Sequence, residues 1–508
     1  MDIDLPAASS QAHPSRRIIV TESSPYDLEQ LANTWEGRSK VLRLISVAVS
    51  SPSLCGPALT LALSSIKQLT LDTTLYQEVF QLYRQQINAL ENGTEQDPSA
   101  VNWYNSIKGN EVTLDRTWLE QAKKDAQTGQ EKLEIELKGY VVNLIKESIR
   151  MGYRDLARFQ YRCGELQEAV RSYTKSREFC TTSQHVLDMC LGVIEIALDM
   201  SNYAFVRNYV VKAESAIDAA QSTNGSKPKQ APVLLPGMVA PAQDPIEAAK
   251  ERERKIVQER LLVAGGVAHL GSGNFEKAAL AFTDLGSEAI NNGTSHFIPG
   301  GDIALYAVLT SLACFDRVQL RTRVLENSNL RPFLDLEPYL RDIVRAFYDS
   351  KFKHGLELLS KYEHRPLLDI HISPHVSTLI RLIRQRAILA YFQPFASVSL
   401  SRMASAFGID EASISTHLEP ELIELIEKGM LKARIDSANG TLVAKRRDAR
   451  NEAFKNALEE GEKLQKKAIA SQLRMKLLRN DIIVKAPRGQ QQQQQQHQQQ
   501  GPIYLDDD

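Results

Sequence analysis

The stretch SLSRMASAFGIDEASISTHL, residues 399–418, decides the fold of the C-terminal third of this chain. Leu400, Met403, Ala404 and Phe407 recur at helical spacing, Gly408 stops the pattern, and a second helix pattern begins at Glu411 and continues to Gly429. Two short helices about a turn form a helix-turn-helix, whose second helix enters the major groove in DNA-binding proteins. A hairpin pattern follows as KARID, SANG, TLVA (432–444), with Ala433, Ile435, Leu442 and Ala444 on alternate positions. Asn439-Gly440 is expected to supply the positive φ angles of a tight turn. The VSL before Ser401 is expected to add a third strand, which completes a winged helix.

Charge decides what the module is for. Between Asp410 and Lys428 the second helix carries Asp410, Glu411, Glu419, Glu421, Glu424 and Glu427 against Lys428 alone, a formal balance of −5. A helix laid against phosphates needs the opposite sign, since affinity there comes from Lys and Arg displacing counterions. Pro420 removes a backbone donor and is expected to kink or restart that helix. The reading is a protein-docking wing rather than a DNA reader, with its edge strands (Ala433, Ile435, Leu442, Ala444) available to a neighbour's sheet. The plainer reading is a hairpin that only closes the domain.

Working outward, nearly every long segment has 3.6-residue periodicity, so the chain is expected to be mainly α. A layout recurs in GELQEA (164–169), SNYAFV (201–206), GNFEKA (273–278), ACFDRV (313–318) and SKFKHG (350–355), at offsets of 37, 72, 40 and 37 residues. Leu156, Ala157, Gly164, Leu166, Ala169 and Tyr173 have tetratricopeptide-like spacing, with small residues at 157, 164 and 169 for close helix approach and Tyr173 behind them. Stacked helix pairs make a solenoid that presents a long surface to partners. The plainer reading of each apolar position is core between repeats. From Leu44 to Ile66 there is no charge, but Pro52, Gly56, Pro57 and seven Ser or Thr leave too few apolar positions for a membrane span. Two buried helices joined at SSPSLCGP are expected there.

The expected organisation is a disordered N-terminus (1–25), an N-terminal helical-repeat domain (26–220), a linker insertion (221–246) and a further helical region (247–392). A winged helix (393–446), a C-terminal helix (447–486) and a polyglutamine and acidic tail (487–508) complete it. Residues 221–245 hold five of the 20 prolines and are read as disordered. The C-terminal helix pattern places Phe454, Leu458, Leu464, Ala468, Met475 and Leu478 near heptad spacing, interrupted by Gly461 and two Gln. A solitary helix of this length with an apolar seam needs a partner, and a bundle with other subunits is expected rather than folding back on the solenoid.

Lys plus Arg (61) nearly cancels Asp plus Glu (62), which excludes a global field steering the chain to nucleic acid or membranes. Five scattered Cys without a CxxC pair argue for a reducing compartment. The start, MDIDLPAASSQAHPSRR, has no apolar core and is not a secretory signal, so the N-G-T sequons at Asn92, Asn292 and Asn439 carry no meaning. Phosphate-loop, HExxH and GxSxG patterns are lacking, and GSGNFE at 271–276 is too weak for a dinucleotide fingerprint. In EHRPLLDIHISPH, Glu363, His364, Asp369, His371 and His375 crowd together, but two prolines make this a loop, and a structural or solvated role is favoured over zinc. KRRDAR (445–450) is read as solvating charge at the start of the last helix rather than as a nuclear-import patch. No catalytic, cofactor-binding or metal-binding residue is nominated.

LAYFQPFASVSLSRMASAFG leading to KARIDSANGTLVA, after helical repeats, resembles the PCI domain shared by the proteasome lid, the COP-nine signalosome and a translation initiation factor. YRDLARFQYRCGELQEAVRSYTKSREFCTTSQHVLDMC is similar to the helical domain of one lid subunit and its signalosome counterpart. NLRPFLDLEPYLRDIVRAFYDSKF, LLDIHISPHV and LLRNDIIVKAP resemble the signalosome's subunit 1 family in particular, and the likeness spans roughly residues 26–486. The resemblance implies a non-catalytic scaffold in a multi-subunit isopeptidase that removes a ubiquitin-like modifier from cullins and so regulates cullin-RING ubiquitin ligases. It implies PCI-subunit partners reached through winged-helix edges and a C-terminal bundle, cullin-RING ligases reached through the complex, and residence in cytoplasm and nucleus. It implies no cofactor, DNA or membrane, and leaves zinc chemistry to another subunit. Three alternatives stand beside it. One is the proteasome-lid counterpart. Another is an RNA-associated PCI scaffold using Lys432, Arg434, Lys445, Arg446 and Arg447. The third is an isopeptidase depending on His371 and His375.

Overall fold

The computed structural model describes residues 26–92, 97–108, 112–224, 245–290, 298–410, 416, 418–445 and 449–480. The N-terminus before Tyr26, most of the linker, the helix start at Glu411, the centre of KRRDAR and the polyglutamine tail lie outside them. By their internal contacts the residues form two units, Met1–Leu431 with Ser437–Thr441, and Lys432–Asp436 with Leu442–Asp508.

The first helices are α1 (Leu28–Thr34), α2 (Gly37–Ser50), α3 (Pro52–Leu69), α4 (Thr73–Glu91), α5 (Pro98–Ile107) and α6 (Arg116–Val142). Asp27, Asp72, Asp97 and Asp115 cap α1, α4, α5 and α6, each carboxylate accepting from backbone N–H groups that the helix leaves unpaired. The uncharged stretch at 44–66 forms two buried helices, but the joint is Ser51 alone. Pro52 opens α3, where its missing N–H costs nothing, and Cys55, Gly56 and Pro57 lie inside that helix. Among the described residues no helix is long and apolar enough to cross a membrane. These helices close one core around Leu44, Leu59, Ile66, Tyr76 and Tyr83.

The repeat array continues as α7 (Lys146–Cys163), α8 (Leu166–Ser176), α9 (Ser183–Asp199), α10 (Tyr203–Asn224), α11 (Pro245–Gly271) and α12 (Phe275–Thr283). Next come α13 (Gly300–Cys314), α14 (Arg317–Leu320), α15 (Arg331–Leu336), α16 (Pro338–Tyr348), α17 (Phe352–Lys361), α18 (His364–Leu367) and α19 (Val376–Phe392). The repeated motif is a helix stop. At GELQEA, Glu165 N–H donates to Gln160 O (3.0 Å) and Gly164 N–H to Tyr161 O (3.2 Å), with Gly164 at φ +91°. The same pair of bonds recurs at Ser201-Asn202, Gly273-Asn274 and Ser350-Lys351, each with a left-handed residue in first place. This is the Schellman closure, and it turns the chain into the next helix. ACFDRV departs from it, since Phe315 is extended and Asp316 begins α14 with a capping box. Gly164 has a second reason to lack a side chain: a Cβ there would lie 2.1 Å from Asp72 Oδ2.

A single core runs from Ala157 to Ile383, through Tyr173, Ile194, Phe282, Tyr306 and Phe333. It crosses the 221–246 segment without interruption, and helix extends to Asn224 and resumes at Pro245. The insertion therefore separates two helices of one packed array rather than two cored domains. Tyr173 fills the space the small residues leave; a Cβ on Gly192 would lie 2.6 Å from its ring.

The C-terminal region comprises β1 (Ser397–Ser399), α20 (Leu400–Phe407), α21 (Glu419–Glu427), β2 (Ala433–Asp436), β3 (Thr441–Ala444) and α22 (Ala449–Arg479). The strand order is β1-β3-β2, and Leu400 N–H donates to Gly440 O (2.8 Å). Ser399 caps α20 and Gly408 closes it at φ +70°. Phe407 stacks on Phe352 of α17, with ring centroids 5.5 Å apart. The hairpin turn differs from expectation. It spans Ser437–Gly440, and Gly440 enters the left-handed region while Asn439 does not. A four-residue loop spreads the reversal over more bonds, so one positive φ suffices.

Candidate partner-docking surfaces

The acids of the second winged-helix helix are held by α19. Arg384 pairs with Glu421 (2.9 Å), Arg381 approaches Glu424 (3.9 Å), and Gln385 Nε2 donates to Glu424 (3.2 Å). Lys428, one turn on, also binds Glu424 (2.5 Å), and that bond leads the effects holding its carboxyl below the ordinary range. Leu418, Leu422 and Leu425 are buried beneath. Pro420 sits in the first turn of α21, so it starts a helix and kinks none. Sequence alone counted these acids as an outward field; part of that charge is neutralised within the fold.

The four nominated wing residues alternate as expected, with Ala433 and Leu442 buried and Ile435 and Ala444 half-buried. Ala433 and Leu442 are thus withdrawn from solvent. What β2 has to offer a neighbour is its main chain, because the strand order leaves it at the sheet edge. Lys432, Arg434 and Lys445 are exposed; Arg446 and Arg447 lie outside the described residues.

The helix α22 is 31 residues long. Phe454 is 63% exposed, Leu464 71% and Met475 69%, and Leu458, Ala468 and Leu478 are exposed as well. Phe454, Gly461, Ala468 and Met475 recur every seventh residue, with Ala457, Leu464, Ser471 and Leu478 three positions after each. These are the a and d positions of a heptad seam. Leu458 falls beside that seam at e, while exposed Ile469 at b and exposed Leu473 at f lie away from it. A packed a/d seam is the one surface that would bury five of the six nominated residues together.

The EHRPLLDIHISPH segment has a structural task. It forms α18 and a 3-10 turn rather than an open loop. Asp369 is fully enclosed and accepts from Tyr306 Oη (2.7 Å), His371 N–H (2.9 Å), Ile372 N–H (3.2 Å) and Arg43 Nη1 (3.3 Å). Arg43, from α2, also pairs with Asp302 of α13, which Arg365 holds from the other side (2.5 Å). Burial opposes the charge on Asp369, yet Arg43 and the donors keep its carboxyl below the usual range. Burial pushes His371 down to about 4, so its ring is neutral; its Nδ1 lies 3.2 Å from Tyr203 Oη. His375 packs edge-on against Phe275. Glu363 and His364 are half-buried, and among the described residues no group of side chains is arranged to hold a metal ion.

A helical array built on repeated Schellman turns, continued by a winged helix, defines a PCI-type protein. Residues 359–446 match the PCI domain family, and residues 115–323 match the family described as 26S proteasome subunit RPN7. The chain is 34% identical to COP9 signalosome complex subunit 1 of Arabidopsis thaliana, over 93% of this chain and 95% of that protein. It is 32% identical to COP9 signalosome complex subunit 1b of Drosophila melanogaster, over 96% and 91%. Against 26S proteasome non-ATPase regulatory subunit 6 of Caenorhabditis elegans, identity is 24% over 69% of this chain and 78% of that one. The chain belongs to the COP9 signalosome subunit 1 family.

Proposed function

We propose that this chain is a non-catalytic scaffold subunit of a signalosome, the complex expected to remove a ubiquitin-like modifier from cullins and so to regulate cullin-RING ligases. The observation that carries the reading is α22, a long helix with an a/d seam whose apolar residues are solvent-exposed. Isolated helices gain most of their stability from packing an apolar face, so this one is built to be covered. Other PCI subunits meet the chain along the β2 edge and in a bundle with α22, and cullin-RING ligases are reached through the assembled complex. The chain works in cytoplasm and nucleus, where its five free cysteines stay reduced. Deleting residues 448–486 tests the scaffold reading. The truncated chain should keep its thermal midpoint and leave the complex; stoichiometric co-purification would contradict the bundle.

A further inference from the structure

The turn between α6 and α7 exposes apolar side chains at a cost in backbone preference. Val142 and Leu144 are 80% and 78% exposed, and Ile145 is 52% exposed. Leu144 lies in the left-handed region at φ +53°, where a side chain crowds its own backbone and glycine is the ordinary choice. Ile145 is the N-cap of α7 and makes no side-chain cap bond, where Ser, Thr, Asp or Asn would close an open N–H. Asn143, a residue type that tolerates positive φ, stands one position earlier in a right-handed helical conformation. Two adjacent residues thus break local rules, and both are exposed hydrophobes. Such violations concentrate where a surface has a task outside the fold.

The tip is well supported. Leu144 N–H donates to Val141 O (3.2 Å), and a small core of Leu137, Ile149 and Leu156, flanked by Tyr140 and Tyr153, lies behind it. Its charge has one sign: between Glu136 and Glu147 the only charged residues are Lys138 and Lys146, both exposed, and Glu147 is engaged by Arg150 (2.5 Å). We propose that this tip, Val142, Leu144 and Ile145 between Lys138 and Lys146, docks into an apolar pocket rimmed by carboxylates on another protein subunit. A lipid surface fits less well, because two lysines attract anionic headgroups weakly.

The proposal rests on the scaffold reading for where its partner is found. The test places the photoreactive residue p-benzoylphenylalanine at Val142 of the full chain, assembled with its partners in cells. One other subunit should be cross-linked, at a segment bearing Asp or Glu. The double substitution Leu144→Gly, Ile145→Asp suits the backbone better, so the isolated chain should melt at the same temperature or higher. In the complex, carrying the probe, it should lower cross-linking at least tenfold. Co-purification without a cross-link, a cross-link to a second copy of this chain, or binding to phosphatidylserine vesicles that the double variant abolishes would each overturn the proposal alone. Absence of any co-purifying subunit would remove the scaffold reading as well.

Discussion

Arg43→Met should loosen the N-terminal helices more than any surface change. Arg43 brings a buried cation to two buried carboxylates, Asp302 and Asp369, and Arg365 supplies a second cation, which Asp302 shares with Glu337 at 3.8 Å. Among the described residues its Nε and Nη2 find no hydrogen-bond acceptor, while the Trp35 ring lies 5.6 Å away. The set therefore holds by charge more than by saturated bonding. Methionine keeps much of the volume and removes the charge, leaving two carboxylates facing one guanidinium. Removing one partner of a buried pair costs about 3–5 kcal/mol, because the other is left uncompensated. Arg43 belongs to α2 of the first core, while Asp302 and Asp369 lie beside the second, so the loss should be felt first where the two meet. Hydrogen exchange followed residue by residue should show amides of α2 and α3 losing about 3–5 kcal/mol of protection. Amides of α11 and α12 should lose less than about 1 kcal/mol. Adding Asp369→Asn removes a carboxylate that Arg43 had paired and should recover part of the loss. A single Arg43→Met chain with unchanged α2 protection would refute this account of the network.

Asp199 should make the fold less stable as pH rises. Burial is the main cause raising its carboxyl from 3.8 to about 6, although Tyr161 Oη donates to it at 2.5 Å. The folded state therefore binds the proton more tightly than the unfolded chain, so this contribution is present below pH 4 and lost as pH passes 6. Asp199→Asn keeps an acceptor for Tyr161 and should add up to about 3 kcal/mol at pH 7.5 while flattening the slope between pH 4 and 6, read from denaturant melts. Leu442→Ala empties a fully buried position of β3 and should cost about 2–5 kcal/mol, seen as early loss of protection in the hairpin. Leu464→Glu with Met475→Glu should leave the melting temperature of the isolated chain within about 2 °C, since both side chains are exposed, yet abolish retention in the complex during affinity purification.

Local grammar was readable from sequence wherever a short stretch settles it. Gly164, Ser201, Gly273 and Ser350 were found by their repeated spacing, and each proved to be a helix stop. The winged helix followed from Gly408, the SANG turn and the alternation after it. Long-range pairings left no such mark. Arg43 meets Asp369 across 326 positions, so EHRPLLDIHISPH showed its crowd of polar residues without their use. The acids of α21 were counted correctly, but nothing local links them to RLIRQR on α19. The insertion at 221–246 looked like a domain boundary because proline and glycine mark a loop equally well inside an array. The exposed tip at Leu144 has a related cause: the apolar run VVNLI carries no local mark of the turn that exposes it.

The central claim is that this chain is a component whose last helix is covered by other subunits. Its most direct test is the native mass of the tagged full-length protein drawn from cells. The account predicts a defined assembly many times the 56.9 kDa of the chain, with other PCI-domain subunits in fixed ratio and α22 protected from exchange only inside it. A monodisperse 56.9 kDa species with α22 already protected would contradict it.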